Sequence, residues 1–171
     1  MLLRASRPED LESLRAFTDR CSPETLYRRF HGSGRPAIER ELCRVASPSP
    51  NHRSWVALAG GDVRGTATLA RSRTGASEMA VLVEDAWFRR GIGRALVGEL
   101  TAHAASRGLD TIVAWVQADN EAALRFIRAV APGASVSFVG GAELEVQVPV
   151  PVSVPIPAAA SGPSERTREA A

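Results

Sequence analysis

The sequence predicts a single mixed α/β (α+β) domain with an anion-binding turn after its fourth strand. Three observations carry that expectation. Apolar residues recur at helical spacing early in the chain, then change to short strand-like runs from Ser54 onward. Glycine pairs at Gly60-Gly61 and Gly140-Gly141 sit between such runs, as hairpin turns do. The apolar run Met79 to Val83 leads through a charged loop into Gly91-Ile92-Gly93, where a helical pattern starts at once. At 171 residues the chain can bury the core such a domain needs.

Taken in order, Leu2 to Ala5 reads as a first strand. Ser6 or Pro8 then opens a helix carrying Leu11, Leu14 and Phe17. Ser22-Pro23-Glu24 starts a second helix, with Ser as cap, Pro at the first helical position and Glu in the first turn. That helix runs to Phe30 and ends in the breaker His31-Gly32-Ser33-Gly34, and a third spans Pro36 to Val45. Strands follow at Ser54–Leu58, Val63–Ala70 and Glu78–Val83. Ile92, Leu96 and Leu100 form one row on a helix closed by Arg107-Gly108. A β-branched strand, Thr111–Val116, precedes a helix capped by Asp119-Asn120, with Ala123, Ile127 and Val130 on one face. Ser135–Val139 and Glu143–Val148 close the domain as a hairpin. The domain is expected to cover 1–150. The Pro- and Ala-rich remainder, 151–171, has too little apolar bulk to offset ordering entropy and is expected to be disordered.

The turn at 89–95 is the chemical signal. Small residues at a helix start leave its first N–H groups bare, and the helix dipole adds positive potential there. Arg89, Arg90 and Arg94 add full charges. Locally, an ordinary glycine-rich connection with solvent-facing arginines fits as well.

Composition narrows the classes. No apolar run approaches the ~18 residues that span a membrane, and the first residues turn charged too soon for a signal peptide. A net charge of +2 without a basic patch argues against nucleic-acid binding. Every basic residue apart from the histidines is arginine; lysine is absent, so the chain offers no side-chain lysine amine to acylate. Cys21 and Cys43 have no close spacing, which fits reduced, structural thiols in a cytoplasmic protein. His31, His52 and His103 are scattered, so no metal site is expected. Trp55, Trp87 and Trp115 are read as core or loop packing, with a cover over the 89–95 turn as a further role for Trp87, and Tyr27 and Phe30 as core in preference to substrate contact.

Arg90-Gly91-Ile92-Gly93-Arg94-Ala95-Leu96 and Asn120-Glu121-Ala122-Ala123, in this order of elements, resemble the GNAT superfamily of N-acetyltransferases. The first matches the acyl-CoA signature Gln/Arg-x-x-Gly-x-Gly/Ala after strand four, and the second the Asn-x-x-Ala segment after strand five. Ser22 to Phe30 and Glu78 to Val83 are also similar to segments of the bacterial protein-lysine acetyltransferase (Pat-like) branch. The resemblance implies a largely antiparallel central sheet flanked by helices and an acetyl-CoA co-substrate. It implies direct acetyl transfer to a primary amine, first of all a protein lysine. It places the pyrophosphate on the backbone from Arg89 through Arg90, Gly91, Ile92, Gly93 and Arg94 to Ala95. The pantetheine arm would lie along Val81, Leu82 and Val83, with an N–H near Leu82 polarising the thioester carbonyl, and Asn120 on the far side. Asn120 also reads simply as a helix cap.

Glu78 is the candidate general base, at the position of the branch's glutamate; a solvated strand-start residue is the alternative. Glu84 and Asp85 rank lower as bases. Two positions depart from the pattern: Phe88 stands at the signature's Gln/Arg, and Ile127 where many relatives have a thiolate-protonating tyrosine. A small-molecule amine acetyltransferase and a catalytically weak acyl-CoA-binding module stay open, as does homodimerisation. A Rossmann site is disfavoured, because position 96 is Leu where the third glycine belongs.

Overall fold

The computed structural model describes residues 1–32 and 34–151. The expected disordered tail therefore lies, beyond Pro151, outside the described residues. The elements are β1 (Leu2–Ala5), α1 (Leu11–Arg20), α2 (Pro23–Phe30), α3 (Gly34–Ala46), β2 (His52–Ala59), β3 (Asp62–Arg71), β4 (Ser77–Val83), α4 (Ile92–Ser106), β5 (Thr111–Gln117), α5 (Glu121–Val130), β6 (Ser135–Gly140) and β7 (Glu143–Pro149). Their order is the expected one.

One helix start differs. Pro8–Asp10 forms a 3₁₀ turn, and α1 proper begins at Leu11. Buried Asp10 accounts for the break. Its carboxylate accepts two bonds from Arg4 (2.6 and 2.7 Å) and one from the Arg7 N–H (2.8 Å), folding the chain back onto β1. Ser22 caps α2 as expected, its Oγ accepting from the Thr25 N–H at 3.2 Å.

The seven strands form one sheet in the order β1-β2-β3-β4-β5-β7-β6. All neighbouring pairs are antiparallel except β4 and β5, which run parallel and meet at a single register position, Glu78 with Val113. Past that position the β5-facing edge of β4 has no ladder partner among the described residues. Two apolar layers hold the sheet. One packs α4 and α5 against β2–β5 and β7 through Leu96, Leu100, Ile112, Ile127 and Val146. The other packs α1 and α3 against β2–β4 through Leu14, Phe17, Leu42, Val56 and Leu82. That second layer contains no residue of β5, β6 or β7.

Candidate functional site

Because β4 and β5 are parallel, both end at the same side of the sheet, and each leads into a helix N-terminus there. The fork between the strands is thus flanked by the starts of α4 and α5. The main chain of β4 decides which groups the fork presents. The Glu84 N–H donates to the Arg64 carbonyl (2.9 Å), and hydrogen-bonded positions alternate along an antiparallel pair. Leu82 therefore turns its N–H and C=O toward β3, while Val81 and Val83 present theirs to the fork. The donor expected near Leu82 belongs to its neighbours.

The two glycines of the 91–93 turn have different reasons. Gly91 has φ of +84°, a left-handed conformation, and a Cβ there would meet nothing. Gly93 is needed for packing: a Cβ would sit 3.0 Å from the Phe126 ring of α5. Arg89 also takes a left-handed φ, +59°, which a non-glycine residue adopts at some cost. No side chain caps α4. Ala95, expected among the phosphate donors, closes the helix instead by donating its N–H to the Gly91 carbonyl (3.0 Å). The bare first-turn donors are those of Ile92, Gly93 and Arg94.

The flanking arginines are placed unequally. Arg90 lies over the Trp87 ring at 4.9 Å, and Arg64 lies over the same ring at 5.1 Å. Arg94 reaches toward the Ala129 carbonyl (3.4 Å) and so leans along α5, away from the loop. Phe88 is 47% exposed. Asn120 realises its capping role, with Oδ1 accepting from the Ala123 N–H (3.1 Å).

Three carboxylates lie on or just after β4, and their surroundings separate them. Burial alone would raise the Glu84 carboxyl, but hydrogen bonds from Arg64 (2.9 Å) and Arg20 (3.0 Å) hold it below its ordinary value. Burial opposes Asp85 ionisation too, and the Ser22 N–H (2.8 Å), Ser22 hydroxyl (2.7 Å) and Thr25 hydroxyl (2.8 Å) outweigh it. Both are occupied in fixing α1, α2 and the loop, and neither is available as a base. Glu78 is half-buried, and its side chain makes no hydrogen bond or ion pair with any described residue. It sits at the vertex of the fork.

Strand alternation gives the environment of Glu78. It shares a face with Leu82 of β4 and, through its pairing with Val113, with Trp115 and Gln117 of β5. Register then adds Glu143, Glu145 and Gln147 of β7. Trp115 is 40% exposed rather than packed, because no described helix covers β5 and β7 on this side. Tyr27, expected in the core, is 57% exposed; Phe30 alone of that pair packs against the α1–α3 layer. The end of α2 is tied across the fork by Arg28 to Asp119 (3.0 Å) and His31 Nδ1 to Glu143 (2.6 Å).

Sequence reasoning passed over several of these residues. Gln117 Oε1 is buried without a hydrogen-bond partner among the described residues. Gly65 of β3 lets α4 sit close, since a Cβ would lie 2.9 Å from Ile92 Cγ2 and 3.1 Å from Leu96 Cδ1. A glycine inside a strand pattern was the available signal for the second. Of the thiols, Cys21 is inert: burial, with help from Asp85 and Glu84, pushes it up to about 12. Cys43 is exposed on α3, its Sγ 3.8 Å from Glu39. Trp55 is core, as expected.

Comparison with known proteins agrees with this architecture. The GNAT domain of Streptomyces lividans (S. lividans) PAT superposes with a TM-score of 0.74 at 21% identity, over 86% of this chain and 89% of that one. YncA of Salmonella typhimurium, solved with its cofactor acetyl-CoA, gives 0.68 at 19% identity, covering 92% and 98%. PaiA N-acetyltransferase of Thermoplasma acidophilum, in complex with coenzyme A, gives 0.65 at 16%, covering 87% and 99%. At these identities the likeness is one of fold. The profile of the Acetyltransferase (GNAT) family matches residues 13–130, and the chain belongs to that family.

Proposed function

We propose that the protein is an acetyl-CoA-dependent N-acetyltransferase that moves an acetyl group directly to a protein lysine, with Glu78 as general base. The observation that carries the reading is the forked edge of β4, with an unpartnered carboxylate at its vertex. The bare donors of α4 and the left-handed loop at Arg89 and Gly91 suit a diphosphate. The open edge at Val81 and Val83 suits an extended amide-bearing arm.

Acetyl-CoA, when bound, supplies a thioester and a diphosphate. The N–H groups of Ile92, Gly93 and Arg94, with Arg89 and Arg90 beside them, hold the diphosphate. Main-chain groups of Val81 and Val83 hold the arm, and one of their N–H groups stabilises the charge that develops on the carbonyl oxygen. Glu78 accepts a proton from the acceptor ammonium, whose ordinary pKa of ~10.4 leaves few neutral amines at neutral pH. The freed lone pair bonds to the carbonyl carbon as the C–S bond breaks, the electrons leave with the CoA thiolate, and the second proton shed by the acylated nitrogen neutralises that thiolate. That thiolate is a fair leaving group, so Ile127 in place of a tyrosine is compatible with turnover.

The acceptor class follows from the uncovered sheet face. Trp115 is exposed there, Tyr27 is exposed on α2, and half-buried Glu145 accepts from Gln147 Nε2 with no cation paired to it among the described residues. A broad surface with carboxylates and aromatic rings suits a cationic polypeptide segment better than an isolated small amine.

The test is release of CoA from acetyl-CoA with a panel of lysine-bearing proteins and small amines, wild type beside Glu78→Gln. Acetylated protein lysine, with kcat lower by ~10² or more in the variant at unchanged acetyl-CoA affinity, is the expected result. Turnover on small amines alone overturns the acceptor class. Equal rates in the two proteins overturn Glu78 as base.

A further inference from the structure

A second cluster of unpaired positive charge lies at the opposite end of α4. A cleft of about 250 Å³ opens where β2 begins and β3 ends, against the last turns of α4. Arg53, Arg71, His103 and Arg107 line it, with Asn51 and Ser77 as neutral polar groups, and no carboxylate of the described residues lines it.

The arginines here differ from the ion-paired ones elsewhere in the molecule. Arg4, Arg15, Arg20, Arg28, Arg29, Arg44, Arg64 and Arg125 each pair with a carboxylate. Arg53, Arg71 and Arg107 have no ion pair or side-chain hydrogen bond among the described residues. Such a group of unpaired arginines recurs at Arg89 and Arg90, beside the bare donors of α4, where an anion is expected on independent grounds. Arg107 alone has an ordinary explanation, because a cation in the last turn complements the helix dipole. Arg53 and Arg71 are on strands, where no dipole calls for them. Burial, then Arg53 and Arg107, lower the proton affinity of His103. Its ring is held edge-on to Trp55, with centroids 5.4 Å apart.

We propose that this cleft is a binding site for a small multivalent anion, a phosphate ester or polycarboxylate, distinct from the acyl-CoA loop. The two sites are separated by the length of α4, about 20 Å for its 15 residues. Ser77 of the cleft directly precedes Glu78, so an anion held there touches the root of β4. The cleft proposal stands or falls independently of the acetyl-transfer reaction.

The experiment titrates the full chain with citrate, and separately with inorganic phosphate, at constant ionic strength held by sodium chloride. It follows the His103 ring resonances by NMR and the affinity by calorimetry. Saturable shifts of His103 are expected, with binding about tenfold weaker in Arg53→Gln and weaker again in Arg53→Gln/Arg71→Gln. Arg53→Lys, which keeps the charge, should retain part of the affinity and controls for folding. Coenzyme A should leave the citrate affinity unchanged. A His103 signal that does not respond to either anion, or citrate affinity unaltered in the double variant, overturns the proposal. Competition between citrate and coenzyme A would place the anion in the loop and overturn it equally.

Discussion

The two halves of the sheet differ in how many of their faces are covered. Strands β2–β4 lie between α1 and α3 on one side and α4 on the other, so their residues are buried in both directions. Among the described residues β5 and β7 are covered by α4 and α5 alone, their second face carries Trp115, Gln117, Glu143, Glu145 and Gln147, and β6 is exposed along its whole length. The fork is the border between these halves. The doubly covered half can therefore fix a loop and a main-chain edge rigidly, while the singly covered half leaves room for something to approach. Stability and access are assigned to different strands of one sheet.

Breaking the covered half should have the largest effect. Glu84→Gln leaves Arg20 and Arg64 without their shared counter-charge and should cost about 3 kcal/mol in urea unfolding. The same carboxylate gives an acid signature. Its value is depressed in the folded protein, so its contribution is present above the ordinary 4.5 and is lost as pH falls through the lower folded value. The wild-type melting temperature should fall in that acid range, and the variant should lack this part of the fall. At the border, Gly93→Ala should cost about 1–2 kcal/mol by crowding Phe126. Gly93→Ala/Phe126→Leu should recover most of it, whereas a cost that persists in the double variant would mean the helix start itself rejects the methyl group. On the open half, Trp115→Ala should change stability by no more than about 0.5 kcal/mol while raising KM for a protein acceptor. A large loss of stability there would show the face to be packed, and the comparison would fail.

The elements were legible because each carries its own local signal. Ser22-Pro23 gives a cap and a helix start, Gly60-Gly61 a hairpin, and the row Ile92, Leu96, Leu100 a helix face that is indeed buried. The turn at Gly91 was legible for the same reason. What sequence could not supply was the pairing between distant segments. Tyr27 reads as core, and Trp115 as core or loop packing, because aromatic residues usually are; Tyr27 is instead exposed on α2, and no described helix covers Trp115. The phase of hydrogen bonding along β4, which turns Leu82 away and Val81 toward the fork, depends on its register with β3. The ties of α2 to Asp119 and Glu143 join residues about ninety and more positions apart, beyond any periodicity.

The single contact between β4 and β5 also works as a ruler. A strand advances about 3.3 Å per residue, so the vertex at Glu78 and the open main-chain groups of Val81 lie roughly 10 Å apart along β4. The proton and the acyl group would then be handled at two graduations of the same strand. Moving the vertex by one residue would both change that spacing and turn the carboxylate to the opposite face of the sheet.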